Sequence, residues 1–205
     1  MDNPVFKSIY ARVCMGAGLA ALSGVRAFLP VAFLALYSRL EFFSAPVLSG
    51  TPFAFLEKTW VIILLFALAA MEITTDKIPG WASLHRQILR PIRIALGGLV
   101  FAVAMAPDGW IPMVICAVAG FGIAFLAEHA VQSMRPGVQA GSAQVERAPF
   151  VLLSLYADAL VLVGTLLFVL VPLIGALFAC FMFLFVYRLR QRRKRKHKGL
   201  RILKG

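Results

Sequence analysis

Six stretches of predominantly apolar residues, over 13–37, 59–78, 91–107, 110–131, 150–170 and 173–188, follow one another with little between them. A bilayer core about 30 Å thick is crossed by roughly 20 apolar residues in a helix. A chain built from such stretches has one economical solution, a bundle of helices whose backbone groups are satisfied internally. The expectation is an all-α, polytopic transmembrane bundle of about six spans. Five spans with one re-entrant piece is the alternative, because the third and sixth stretches are short. A mean hydropathy of +0.87, with 61% hydrophobic and 15% charged residues, excludes an ordinary soluble enzyme.

The charges are uneven. With six spans both termini fall on one side, and that side collects Lys7, Arg12, Lys77, Arg86, Arg90, Arg93, Arg135, Arg147 and the basic run that starts at Arg188. The other side holds Arg39 and Lys58, and Arg26 lies within the first stretch. Cytoplasmic loops are enriched in Lys and Arg, so this reading puts both termini in the cytoplasm of a bacterial inner membrane. The first stretch is too long for a signal-peptide core and reads as a retained helix. Cys14, Cys116 and Cys180 all sit in apolar stretches without metal-ligand spacing, which suggests packing rather than disulfides or zinc.

Residues 1–188 read as a single bundle and 189–205 as a basic cytoplasmic tail. Directly after a span, such a tail holds orientation and attracts anionic lipid headgroups more readily than nucleic acid. The loop Leu40–Lys58, rich in Phe and Pro, suits the membrane interface and a fold-back plug or lid. Gly80–Arg90 suits either a short surface helix or a plain connection. Three stretches before Pro107 and three after it allow a 3+3 inverted repeat, although close helix packing alone also accounts for the glycines. The glycine-rich faces of so small a bundle also suit a homodimer.

Charge inside hydrocarbon costs about 2.5–3.5 kcal/mol per residue on insertion scales, so each intramembrane charge needs a partner. Arg26 stands about thirteen residues into the first stretch, near the midplane at 1.5 Å per residue. Pro30 deprives the Arg26 carbonyl of its helical donor, and Ser23–Pro30 is expected to kink or unwind. Glu72 and Asp76 share a helical face, as do Ser154 and Asp158. The expected arrangement balances Arg26 with Glu72 or Asp158 beside a cytoplasm-facing cavity and leaves one acid to titrate or to bind a cation. A purely structural ion pair is the competing interpretation.

Glu128 and His129 suit a proton relay or a solvated boundary. Arg90-Pro91 and Arg135-Pro136 suit lipid-headgroup contacts or the marking of helix ends. No nucleophile elbow, phosphate loop, metal motif or dinucleotide fingerprint occurs, so no cofactor or metal is expected.

Gly24-Val25-Arg26-Ala27-Phe28-Leu29-Pro30, Glu72-Ile73-Thr74-Thr75-Asp76-Lys77-Ile78-Pro79, Arg90-Pro91, Arg135-Pro136 and Ser154-Leu155-Tyr156-Ala157-Asp158 together resemble a bacterial integral-membrane family, domain of unknown function 4126. The likeness runs from the first stretch to the fifth. It implies Arg26, Glu72, Asp76, Lys77 and Asp158 as the polar set and brings no activity. The family often has Glu before the acid of the fifth segment; Ala157 stands there, which weakens any mechanism based on paired acids at Asp158. The function expected from these residues is a small inner-membrane transporter or permease for a small polar solute, an ion or a lipid headgroup. The rivals are a structural or assembly membrane protein, and a lipid-modifying enzyme using Glu72, Asp76 or His129 as base.

Overall fold

The computed structural model describes residues 8–76, 82–134 and 147–202. Among them there is no strand. Seven α-helices follow in order: α1 Ile9–Val25, α2 Phe28–Arg39, α3 Thr59–Asp76, α4 Ala82–Met105, α5 Trp110–Met134, α6 Arg147–Leu170 and α7 Pro172–Ile202. Two 3-10 turns, Ala54–Glu57 and Ala106–Asp108, lie in the connections. Thr59–Asp76, Ile88–Asp108 and Trp110–Ser133 are long and apolar enough to cross a membrane, and four further helical stretches are apolar but shorter. The outward faces of α5, α6 and α7 carry exposed Ile, Leu, Val and Phe side chains. The helical-bundle expectation therefore holds.

The first apolar stretch is two helices. Arg26 has the extended backbone of a C-cap, with φ −132° and ψ 127°, and α2 starts two residues later. The chain then reverses. Gly16 faces Phe101 and Ala104 of α4, Leu22 faces Gly164 of α6, and Gly18 faces Phe168, so α1 runs antiparallel to both α4 and α6. Arg12 pairs with Asp108 at 2.6 Å, whereas Gly24 lies against Ala124 and Ala127, so α1 runs parallel to α5. On α2 the pairings go from Ala27 with Glu72, through Phe33 with Phe66, to Arg39 with Thr59, an antiparallel match to α3.

The bundle thus has an Arg12 end and an Arg26 end. At the Arg12 end lie the start of α1, the α2–α3 loop, the Ala106–Asp108 turn and the α6–α7 turn. At the Arg26 end α3 finishes, α4 and α6 start, and the basic segment of α7 emerges. The expectation that both termini share a side counted 13–37 as one crossing; with the reversal at Arg26, α1 begins at the end of the bundle opposite to the basic segment of α7. Arg12 accordingly joins Arg39 and Lys58 rather than the other basic residues.

Sequence explains the boundaries. Ser8 caps α1 by accepting a hydrogen bond from the Ala11 N–H at 3.3 Å. Pro172 opens α7 in the first helical position, where a missing N–H costs nothing. Gly80 and Trp81 lie outside the described residues, and the segment 82–90 is no separate surface helix but the first part of α4, which continues through Pro91. The basic residues after Arg188 likewise continue α7 without a break to Ile202.

Helix α1 is the centre of the core, since Met15, Leu19, Leu22 and Val25 are buried between α4, α5, α6 and α7. A Cβ on Gly18 would stand 2.5 Å from the Gly175 Cα, so these two backbones approach as only glycine permits. The loop from Leu40 to Lys58 does fold back onto the Arg12 end. Leu48 and Leu56 are buried, the Ser44 hydroxyl donates to the Val169 carbonyl, and the Glu57 carboxylate accepts from the Leu48 N–H at 3.0 Å.

Candidate functional site

The break between α1 and α2 creates two problems, an arginine in apolar surroundings and a helix start without internal partners for its first N–H groups. Acids on α3 and α6 answer both. The Arg26 side chain is fully buried. Its Nε donates to Asp158 Oδ1 at 2.7 Å, and Nη2 approaches the same oxygen at 2.6 Å. Nη2 also donates to Ser154 Oγ at 2.8 Å, and Nη1 lies 3.1 Å from Asp76 Oδ2. The Ser154 hydroxyl closes the ring by donating to Asp76 Oδ2 at 3.1 Å. One guanidinium therefore ties the end of α1 to α3 and α6 at once.

Glu72 caps α2. Its carboxylate accepts the Ala27 N–H at 3.0 and 2.9 Å on its two oxygens, and the Phe28 N–H at 3.2 Å. Pro30, in the first turn, has no N–H to satisfy, so the break is cheap where it falls. A helix start carries roughly half a positive charge, which a carboxylate at that point stabilises. Glu72 also receives Arg93, whose Nε and Nη2 lie 3.2 and 3.0 Å from Oε1.

Arg93 is the member that the sequence reading assigned to a boundary; it is 2% exposed. A signal was present. Leu89, Arg93, Gly97 and Val100 recur at helical spacing, and Arg93 interrupts an otherwise apolar buried face. Its nearness to Pro91 and to other basic residues hid that periodicity.

Among the described residues the buried cluster joins the carboxylates of Glu72, Asp76 and Asp158 to the guanidiniums of Arg26 and Arg93.

The other expected residues separate. Glu128 is 1% exposed; its Oε2 lies 3.4 Å from Arg90 Nε, and Oε1 accepts from the Gln132 amide. It is thus a buried, paired acid rather than a solvated boundary residue. Arg90 is 45% exposed at the side chain and leans over the Phe125 ring. His129 is half-buried with its ring 6.5 Å from that of Phe125. The Glu128 backbone lies against Gly24, two residues before Arg26. Lys77 and Arg135 lie outside the described residues. Among the described residues no group of three or more His, Cys, Asp and Glu side chains is arranged to hold a metal ion.

No curated protein and no solved structure matches this chain. A family model described as Domain of unknown function (DUF4126) matches residues 13–192, which span α1 to the basic part of α7 and include all five members of the buried cluster. The chain belongs to this family, domain of unknown function 4126.

Proposed function

We propose that the protein is a small multi-pass inner-membrane transporter or permease, and that the Arg26–Asp76–Asp158 ring with the Glu72–Arg93 pair is its coupling site. Its cargo is a small polar solute, an ion or a lipid headgroup. The basic end of α7 faces the cytoplasm, as positive residues favour, and α1 begins at the opposite face. The single observation that carries this reading is the break between α1 and α2, where a fully buried guanidinium and carboxylates from α3 and α6 converge on two helix ends. Broken helices that bring their ends together inside a bundle are a common element of transporter sites. An inverted repeat would set α1–α3 against α4–α6, which begin at opposite ends of the bundle, and would leave α7 outside it.

Currents from proteoliposomes on a solid-supported membrane, under imposed gradients of protons, Na+ and K+, test this reading. The intact protein should give a current with one of these cations, and Asp158→Asn should reduce it at least tenfold while the protein stays monodisperse. No current under any gradient would count against a cation-coupled site.

A second reading is favoured by the number of side chains that Arg26 joins, Asp76, Ser154 and Asp158 together, where the charges would serve only to set the pairing of α1, α3 and α6. The exchange Arg26→Glu with Asp158→Arg separates the two. A register-setting pair tolerates that exchange better than a coupling site does.

A further inference from the structure

Polar residues also occur in the interior away from the cluster, and they form a line. On α6, Ser154, Asp158, Val161, Thr165 and Phe168 share a buried stripe. That stripe faces α1, where Phe168 meets Gly18 and the neighbouring Gly164 meets Leu22. On α2, Val31, Leu34, Ala35 and Ser38 share a second buried stripe, turned away from the Phe33 and Tyr37 side that meets Phe66 of α3. Helix α2 packs against α6, and beyond its end Ser44 is fixed to Val169 of α6. From the cluster toward the Arg12 end, α6 therefore carries Ser154, Asp158 and Thr165 on its buried stripe, α2 carries Ser38 on its own, and Ser44 follows beyond α2, while Ser23 of α1 is buried as well.

Most of these hydroxyls have an assigned proton. Ser23 donates to the Leu19 carbonyl and Thr165 to the Val161 carbonyl, the back-bonds usual for hydroxyls within a helix. Ser38 is the exception. Its Oγ is buried in the same setting and has no hydrogen-bond partner among the described residues, neither Leu34 O nor any other. Leaving a buried hydroxyl unpaired costs about 1–3 kcal/mol, and such groups are usually met by a water or a ligand.

We propose that the α1–α2–α6 seam is a proton path, in which a file of water bridges Asp158, Thr165 and Ser38 toward Ser44, so that protons reach the coupling site from the Arg12 end. Ser38 lies about 16 Å along α2 from Ala27, and Thr165 about 10 Å along α6 from Asp158, at 1.5 Å per residue. Hydroxyls that far apart relay protons only through intervening water. Thr165 and Ser38 act here as positioning residues, since each keeps a lone pair for a water that the surrounding Val, Leu and Ala side chains cannot hold. The inference rests on the transport reading for its purpose, but its geometry stands apart from it.

The test is accessibility, followed by flux. In a full-length chain with Cys14, Cys116 and Cys180 replaced by Ser, Ser38→Cys is compared with Leu34→Cys, one turn earlier on the same buried stripe. Methanethiosulfonate ethylammonium is added to proteoliposomes, and the modified fraction is read by mass spectrometry. The path predicts modification of Ser38→Cys at least ten times faster than of Leu34→Cys. Equal rates, or no modification of either, overturn it. Proton uptake reported by an internal pH dye should then fall at least tenfold in Ser38→Leu and in Thr165→Val, with Ser38→Thr close to the intact protein. Unchanged uptake in Ser38→Leu also overturns the path. Absence of proton uptake in the intact protein would instead sink the transport reading, and the labelling ratio alone would decide whether the seam is wetted.

Discussion

Two seams meet at the centre of this bundle and they are made differently. Along α1 toward α4, α5 and α7 the contact is made by glycines, backbone on backbone where Gly18 meets Gly175 and Gly24 meets Ala124, and backbone against ring where Gly16 meets Phe101. Around α2 and α3 the contact at the Arg26 end is ionic, with Arg26, Glu72, Asp76, Arg93 and Asp158. A glycine seam is fixed by shape, and nothing short of separating the helices changes it. An ionic seam depends on protonation and on partners, so one proton changes its energy by kilocalories. The difference divides the molecule into a scaffold of α1, α4, α5 and α7 and a hairpin of α2 and α3 that is attached at the Arg26 end through ion pairs.

The largest effect is expected at the ionic seam. Arg26→Ala leaves Asp76 and Asp158 facing each other without their shared cation, and breaking a buried pair in this way costs about 3–5 kcal/mol. That is a large share of a domain's stability, so the variant should run as aggregate or lose most of its folded fraction in mixed-micelle denaturation. Arg26→Lys keeps the charge but provides one point donor where a planar fork now reaches three side chains, and it should recover only part of the loss. If Arg26→Ala melts within 1 kcal/mol of the intact protein, as an order-of-magnitude bound for removal of a surface pair, the seam does not hold the hairpin.

The glycine seam comes next. Gly18→Ala would place a Cβ 2.5 Å from the Gly175 Cα and 2.7 Å from the Phe168 ring, and a backbone atom cannot yield as a side chain can. Overpacking of this kind costs about 1–3 kcal/mol. Gly122→Ala is the matching control of opposite sign. Nothing lies within 4 Å of its Cβ position, so the change only removes a flexible residue from α5 and should stabilise by about 0.5–1 kcal/mol. A fall in the denaturation midpoint for both substitutions would mean that the glycines matter for α-helix geometry rather than for the seam.

How far sequence carried the reading follows from the same contrast. Hydropathy located the helices, because burial in lipid and burial in a helix bundle both call for apolar residues, and α3, α5 and α6 start and end within a few residues of the expected windows. Arg26, Glu72, Asp76, Ser154 and Asp158 were legible because charge and hydroxyl stand out in an apolar run, and the coordinates bring all five together. The break near Arg26 was legible from Pro30, but the full reversal there was not. An extended residue followed by a new helix has the same hydropathy as a kinked one, and the carboxylate of Glu72 that holds the new start lies forty-five residues from Ala27. Arg93 was obscured because a basic residue near a span end satisfies the positive-inside rule without being examined for its helical face. Missing the reversal in turn grouped Arg12 with residues of the Arg26 end, whereas it pairs with Asp108 at the opposite end of the bundle.

The smallest effect is expected at the far end of α1, and it sharpens the contrast between the two ends of that helix. Arg12 and Asp108 pair at 2.6 Å, closer than the 3.1 Å of Arg26 with Asp76, yet their side chains are 19% and 15% exposed. Distance alone would rank this pair with the strongest. Access to solvent reverses the order, because a partly hydrated pair gives up less on separation and each partner finds water instead. Arg12→Gln and Asp108→Asn should each cost no more than about 1 kcal/mol, and the double variant should cost hardly more than either single one, as shared loss of one interaction requires. A double-mutant cycle on the denaturation midpoint, set beside the same cycle for Arg26 and Asp158, measures the two ends on one scale. Equal coupling at both ends would mean that burial does not distinguish them, and the division into a shape-fixed scaffold and an ion-paired hairpin would lose its energetic basis.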